Sequence, residues 1–256
     1  MIASLTSSPR PHAGFARLAA LMAVAMAHVA HTAASPARHV APASEQGLAG
    51  IWWAAQPTVR LRPVGGEDIP FSQDGQALYQ KIRDSLASHA LVDKAQQICM
   101  PQGTPRVMTT GYPLQIVETP GQVSLLFEEN RIFRVVRLDV PHANPEVWDP
   151  SFMGESVGHR EGKTLVIETT NFKPGTYLDA SGLPHSDKLV VSERLSRLGR
   201  GNELEDLVTI TDPVNYTRPW TARITYQLHP EVELKTDWVC GEPHRALPDG
   251  TSGAAK

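Results

Sequence analysis

Charged residues on apolar strand faces are the first candidates for chemistry in this chain. In the predicted strand at 188–198, Glu193 falls on the face that carries the apolar residues. In the predicted strand at 132–139, Arg137 and Asp139 continue an apolar face. Because side chains alternate along a strand, this pattern places a carboxylate and a guanidinium on the inward side. The opposite face of 132–139 is apolar too, so the choice of inward face stays open there.

Enclosed in a barrel, these charged groups could act in two ways. Glu193 could serve as a general base whose pKa is raised by desolvation, while Arg137, Asp139 and the neighbouring Arg194 orient the polar head of a ligand. Alternatively, Glu193 and Arg137 could form a structural ion pair that links two strands and has no role in catalysis. The sequence leaves both interpretations open.

Polar and aromatic residues in the predicted loops add further candidates. Two histidines could move a proton, and three aromatic residues could contact a ligand at the mouth of a barrel, where binding sites often form. Each of them could equally form a turn or fill the end of the barrel, so only their convergence in space would indicate a site. They are His142, His185, Trp148, Tyr216 and Trp220.

Some literal motif matches lack the required context. The segment Gly154–Gly158 fits the Gly-x-Ser-x-Gly pattern, but the residues after it predict a turn and another strand, whereas a nucleophile elbow leads into a helix. His142, His159 and His185 with nearby acids could assemble a metal site, but no pair of these three histidines has the close spacing on one element that zinc motifs show. The sequence therefore predicts no serine hydrolase, no metal and no cofactor.

The first residues have the pattern of a secretory signal peptide. Arg10 and Arg17 precede the apolar run 18–27, and the small residues 32–34 follow it. The run is too short to span a bilayer, and no later segment reaches the roughly 20 apolar residues that a spanning helix needs. We therefore expect a periplasmic or secreted protein without a membrane span.

Cleavage after Ala34 would leave 22 basic and 27 acidic residues, a net charge of −5. This balance argues against nucleic acid as a partner. The only cysteines are Cys99 and Cys240, and an isolated pair in an oxidising compartment is expected to form a disulfide. Two unpaired, buried thiols are the alternative.

The stretch from Gly121 to Cys240 predicts a series of hairpins. Short polar turns separate runs in which apolar and polar residues alternate, and the last two runs, 221–228 and 231–238, are the most regular. Nine or ten consecutive strands favour closure, which removes exposed edges. The predicted fold is an all-β, antiparallel up-and-down barrel of the lipocalin type.

One helix is predicted before the hairpins, at 74–91. Its apolar residues recur at three- and four-residue spacing and predict one buried stripe, formed by Ala77, Leu78, Ile82 and Leu86. The predicted organisation is a signal peptide at 1–34, a disordered leader at 35–47, one barrel domain at 48–242 and a disordered tail at 243–256.

Five segments also resemble a known group of proteins. The segments Cys99–Arg106 and Met153–Thr169, with the shorter matches 185–186, 192–194 and 209–213, resemble a widespread family of uncharacterised secreted bacterial proteins. The resemblance implies export and a similar length but no chemistry. In this chain Glu155 stands where the family usually has a histidine. The opening 48–52 is separately similar to the Gly-x-Trp start of lipocalin-like barrels.

Three functions fit this pattern. The first is an exported barrel that binds a small apolar or amphipathic molecule oriented by Arg137 and its polar neighbours. The second is a cofactor-independent lyase, hydratase or isomerase that uses Glu193 or a loop histidine on a ligand in the same cavity. The third is a packed structural module of the cell envelope. The fold class alone does not separate them.

Overall fold

The fold is a closed barrel of nine strands, seen in a computed structural model that describes residues 47–57, 60–91, 93–97 and 100–237. Each strand pairs with its neighbours in chain order, and the last pairs with the first. The all-β barrel predicted from the alternation is therefore confirmed. The strands are β1 (Gly50–Ala54), β2 (Leu114–Thr119), β3 (Gln122–Phe127), β4 (Phe133–Leu138), β5 (Glu155–Glu161), β6 (Thr164–Thr170), β7 (Val190–Leu198), β8 (Glu203–Thr211) and β9 (Trp220–Leu228).

The barrel interior is filled by the alternate residues that the sequence pattern selects. On β9, for example, Trp220, Ala222, Ile224 and Tyr226 are buried, and the residues between them are exposed or half-buried. This period of two is what a strand with one dry face requires. The predicted signal peptide and disordered segments lie outside the described residues, apart from Gly47.

One strand pair departs from the antiparallel pattern. β4 and β5 are parallel, with Val136 opposite Ser156 and Leu138 opposite Gly158, whereas the other pairings are antiparallel. A parallel neighbour requires a connection that returns to the starting end of the sheet. The segment 139–154 makes this return, and β5 begins directly after it, at Glu155.

The parallel pairing covers only part of β4. It begins at Val136, so the first three residues of β4 pair with β3 alone. At the paired end, Gly158 permits a close approach: a Cβ atom there would lie 2.7 Å from the Val166 carbonyl oxygen and 2.9 Å from Val136 Cγ1. The β4–β5 seam is therefore tight at one end and open at the other.

The predicted strand at 231–238 is wrong as far as the structure describes it. Residues 229–237 contain no strand, and β9 pairs instead with β1, with Trp52 opposite Leu228. β1 pairs with the last three residues of β9, and Ala55 and Val64 donate to Thr225 and Thr221 farther along the same edge, so this edge is not free for a tenth strand. Closure of the barrel thus overrides the local alternation.

The predicted helix is present as α1 (Gln73–Ala87), followed by the short α2 (Lys94–Gln97). Ser72 caps α1 by accepting a hydrogen bond from the Gly75 amide. The buried positions are Gly75 and Tyr79, whereas Leu78 is exposed, so the predicted stripe is wrong in its first turns. Tyr79 stacks on Phe71, and this aromatic contact sets the buried face. No helix in the described residues has the length and apolar character to cross a membrane.

Candidate ligand-binding site

An ion pair lies inside the barrel between β4 and β7. Arg134 Nη1 and Nη2 donate to the two carboxylate oxygens of Glu193 at 2.9 and 2.5 Å. Its Nε donates to Ser156 Oγ at 2.9 Å, and Nη2 also donates to Thr169 Oγ1 at 2.6 Å. Glu193 is fully buried, so the structure places it inside, where the sequence predicted it. We call Arg134, Ser156, Thr169, Glu193 and Asp206 the inner cluster.

The predicted partner of Glu193 was Arg137, but β4 presents its other face to the interior. Arg134 stands opposite Leu125 of β3, and directly opposed residues of an antiparallel pair share a face. Leu125 is buried in the core, so Arg134 points inward and Arg137 outward. Both faces of this strand are apolar, and the ladder with β3 decides between them.

Asp206 of β8 completes the inner cluster and was missed in the sequence. It is fully buried, and the charges of Glu193 and Arg134 both act on its carboxyl group. Burial first, and then the negative charge of Glu193, raises the pKa of Asp206 well above its ordinary value, against the opposing effect of Arg134. The signal was present, because Asp206 interrupts the apolar face of β8 as Glu193 interrupts that of β7.

Ser156 of the Gly-x-Ser-x-Gly match belongs to this cluster and lies within a strand. Its hydroxyl accepts from Arg134 and lies 3.0 Å from the Thr169 hydroxyl. Gly154 has a φ of 71°, and a Cβ atom there would lie 2.5 Å from Thr169 Cγ2. The glycine at each end of the motif thus permits close packing, and no nucleophile elbow is formed.

A groove opens in the barrel wall where the β4–β5 seam is not paired. Its volume is about 540 Å³, within the usual range for small-molecule sites. Phe133 and Trp148 line it, although 66% and 47% of these side chains are exposed. Arg134 and Ser156 of the inner cluster also line it, together with Arg137, Met153, Gly154 and Glu155. We call this surface the seam groove.

A second charged cluster stands beside the seam groove. The Arg137 guanidinium lies over the Trp148 ring at 4.8 Å and donates from Nη2 to Glu155. Glu155 also contacts Nδ1 of His142, whose Nε2 lies 3.1 Å from Glu168 Oε1. We call Arg137, His142, Glu155 and Glu168 the outer cluster. It joins two site residues predicted from the sequence, Arg137 and His142, with two carboxylates that the sequence did not place in the ligand site, and a third predicted residue, Trp148, lies against Arg137.

The electrostatics of the outer cluster favour a charged Glu155. Partial burial alone would raise the pKa of this carboxyl, but hydrogen bonds from His142 and Arg137 outweigh it and hold the pKa below its ordinary value. Only Nη2 of Arg137 has a hydrogen-bond partner among the described residues. The remaining donors of this guanidinium are therefore available at the groove.

His185 lies apart from both clusters. Its Nδ1 donates to the Ser186 carbonyl at 3.0 Å, and its Nε2 lies 2.9 Å from the Thr176 hydroxyl. Burial lowers the pKa of His185, which favours the neutral ring. A neutral ring with Nδ1 protonated accepts from Thr176, so both nitrogens are satisfied locally.

Tyr216 and Trp220 are packed where β9 begins. Tyr216 donates to the Pro184 carbonyl at 2.8 Å, and its ring meets Trp220 edge to face at 5.6 Å. Both side chains are almost completely buried. This packing closes the barrel end and brings neither residue to the seam groove.

The other predicted site residues lie on the outer surface or outside the residues that the structure describes. Arg194 pairs with Glu161 at 2.8 Å on the outer face of the sheet. Asp139 is exposed and lines a separate groove of about 320 Å³. Cys99 and Cys240 lie outside the described residues. Among the residues that are described, no three histidine, cysteine or acidic side chains are arranged to hold a metal ion.

Fold and site together define an all-β barrel with a lateral groove. No family model matches the chain, and no curated protein matches it. Eight chains of solved structures match it, among them a secretary abundant heat soluble (SAHS) protein from Ramazzottius varieornatus. That match is 13% identical, covers 71% of this chain and 95% of the other, and has a TM-score of 0.34. Structural similarity at this TM-score is too low to support any statement about the site.

Proposed function

We propose that the protein binds a small amphipathic molecule with an anionic head group in the seam groove. One observation carries the proposal: the Arg137 guanidinium, with unused donors, is held against the Trp148 ring at the edge of a groove to which Phe133 and Trp148 contribute exposed aromatic surface. A guanidinium recognises carboxylate, sulfonate and phosphate groups through charge-assisted hydrogen bonds. The head group would bind to Arg137 and the apolar tail would lie in the groove.

The apolar part of the groove supports this orientation. Phe133 and Trp148 leave much of their ring surface in water, and exposed aromatic surface at a concave site is typical of ligand binding. Covering such surface is worth roughly 25 cal/mol for each Å² removed from water. Because stacking on Trp148 already orders Arg137, less side-chain entropy is lost on binding.

The inner cluster supports binding over the enzymatic alternative. Both oxygens of Glu193 accept from Arg134, which also donates to Ser156 and Thr169. A general base must reach the proton that it removes. Glu193 is fully buried and held by Arg134, an arrangement that suits a structural ion pair.

Displacement of a fluorescent probe tests the proposal. Anilinonaphthalenesulfonate would be bound to the protein and displaced with decanesulfonate, a fully ionised amphipathic anion, or with decanol, its uncharged counterpart. We expect saturable displacement by both. We expect Arg137→Gln to lower the affinity for decanesulfonate about tenfold or more, because it removes a charge-assisted hydrogen bond. Decanol should be affected much less, because it has no charge to pair with Arg137.

Arg194→Gln is the matched control, because Arg194 also pairs with a glutamate but lies away from the groove. It should leave both affinities unchanged. Equal losses in the two arginine variants would contradict the proposal, since they would indicate a general charge effect. Absence of saturable displacement in the unmutated protein would reject it altogether.

Export and the disulfide belong to the same proposal. The leader pattern at 1–34 supports a periplasmic or secreted location, and the predicted bond between Cys99 and Cys240 would fit that compartment. Fractionation of the host with mass measurement of the mature chain tests cleavage. Two free thiols in denatured, unreduced protein would contradict the disulfide.

A further inference from the structure

His142 is held between two carboxylates from different strands. Its Nδ1 contacts Glu155 of β5, and its Nε2 lies 3.1 Å from Glu168 of β6. An ionised carboxylate only accepts hydrogen bonds, so both ring nitrogens must donate. Both contacts together are satisfied as hydrogen bonds only by the doubly protonated, cationic form of the ring.

The charge on His142 affects Arg137 through a shared partner. Glu155 contacts both His142 and Arg137, so the outer cluster holds two cations and two carboxylates when His142 is protonated. When His142 is neutral, the same cluster carries one net negative charge. An anionic ligand at Arg137 would then meet uncompensated negative charge from Glu155 and Glu168.

We propose that binding of an anionic ligand in the seam groove is linked to protonation of His142. This inference rests on the function proposed above. His142 does not line the groove. It contacts Glu155, which in turn contacts Arg137, so His142 is a positioning residue that acts on Arg137, the residue that pairs with the ligand. Protonation favours the bound anion, and by reciprocity the bound anion favours protonation.

The groups around His142 come from every element packed against it. Arg137 belongs to β4, Glu155 to β5, and Glu168 to β6, and the Thr170 hydroxyl of β6 lies 3.3 Å from Nδ1. The segment that carries His142 also contributes exposed Asp139 and Asp149. Asp149 lines the seam groove and keeps its surroundings negative when His142 is neutral, whereas Asp139 lines the separate groove.

Affinity measured against pH tests the linkage. Histidines exchange protons between about pH 5 and pH 8, and decanesulfonate stays ionised over this range. We expect its affinity to fall about threefold to tenfold from the acidic to the alkaline end, as one nearby unit charge is lost. The affinity for decanol should stay constant, because decanol carries no charge that interacts with the charge on His142.

Variants of two histidines separate the linkage from other effects. His142→Gln should bind decanesulfonate weakly at every pH, and His142→Lys should restore tighter binding without the pH dependence. His159→Gln is the matched control, because His159 also contacts a glutamate, Glu161 at 3.3 Å. It should keep the unmutated pH profile.

Three outcomes would overturn the inference. An unchanged pH profile in His142→Gln would assign the dependence to another group. Parallel loss of decanol and decanesulfonate affinity with rising pH would indicate a loosened groove wall and no charge linkage. Binding of neither probe at any pH would instead reject the proposed function, on which the inference rests.

Discussion

Two arginines of β4 lie three residues apart and have opposite environments. Arg134 is almost fully buried and donates to three partners in the inner cluster. Arg137 is one-third exposed, uses one nitrogen in an ion pair and stacks on Trp148. An odd separation along a strand places side chains on opposite faces. The comparison shows that position in the ladder, and not residue type, decides whether an arginine is structural or available to a ligand.

The two environments also imply different energetic roles. Removing a charge from water costs several kcal/mol, so a buried pair persists only where hydrogen bonds satisfy it. Arg134 meets this condition through Glu193, Ser156 and Thr169. A pair that is partly exposed contributes less to stability than a buried one, so Arg137 can exchange partners at smaller cost than Arg134.

The largest expected effect comes from Arg134→Gln. This change leaves the Glu193 carboxylate buried without its cation, and we expect a loss of about 3–5 kcal/mol in the free energy of unfolding, measured with urea. Arg137→Gln should lose less than about 1 kcal/mol, because its pair is partly exposed. Equal losses in the two variants would contradict the division into a structural and an available arginine.

A smaller effect is expected when the tight end of the seam is forced apart. Gly158→Ala would place a Cβ atom against the Val166 carbonyl and Val136, and overpacking of this kind costs typically about 1–3 kcal/mol. The control is Gly65→Ala, whose added Cβ would meet only the flexible end of the Glu67 side chain. If both alanine variants unfold at the same urea concentration as the unmutated protein, the seam is not tightly packed.

The smallest expected effect concerns the proton on Asp206. Its pKa is raised in the folded protein, so its contribution to stability is complete below the ordinary carboxyl range and is lost as pH rises toward the folded pKa. Asp206→Asn should remove this pH-dependent loss, so we expect the variant to have a higher free energy of unfolding than the unmutated protein near neutral pH.

Urea unfolding of both proteins at a series of pH values measures this difference. Burial also raises the pKa of Glu129, to about 7, so ionisation of Glu129 likewise lowers the free energy of unfolding as pH rises. Because Glu129 is present in both proteins, the difference between their curves isolates Asp206. Parallel curves would show that Asp206 is ionised in the folded protein.

The sequence was sufficient for the features that depend on periodicity. Alternation on β7 to β9 predicted the barrel and the inward position of Glu193, because one face of each strand is apolar and the other polar. On β4 the two faces are similar in polarity, so the pattern could not select Arg134 over Arg137. There the inward face is fixed by pairing with β3, and the residue pattern of a single strand carries no information about its pairing.

The seam groove could not be predicted for a related reason. It exists because the connection 139–154 returns along the barrel and leaves the start of β4 paired on one side only. The path of such a connection is set by contacts distant in sequence, such as those of His142 with Glu155 and Glu168. Arg137 and His142 were recognised as candidates, but Glu155 and Glu168 were not placed in the ligand site, and the convergence of the four residues was visible only in the structure.

The most direct test of the central claim is a titration of isotope-labelled protein with decanesulfonate, followed by amide chemical shifts. If the seam groove is the binding site, the largest saturable shifts will lie at 133–137 and 147–156, and Arg137→Gln will abolish or strongly reduce them. Saturable shifts centred instead on the packed end around Tyr216 and Trp220, with none in the groove, would contradict the account.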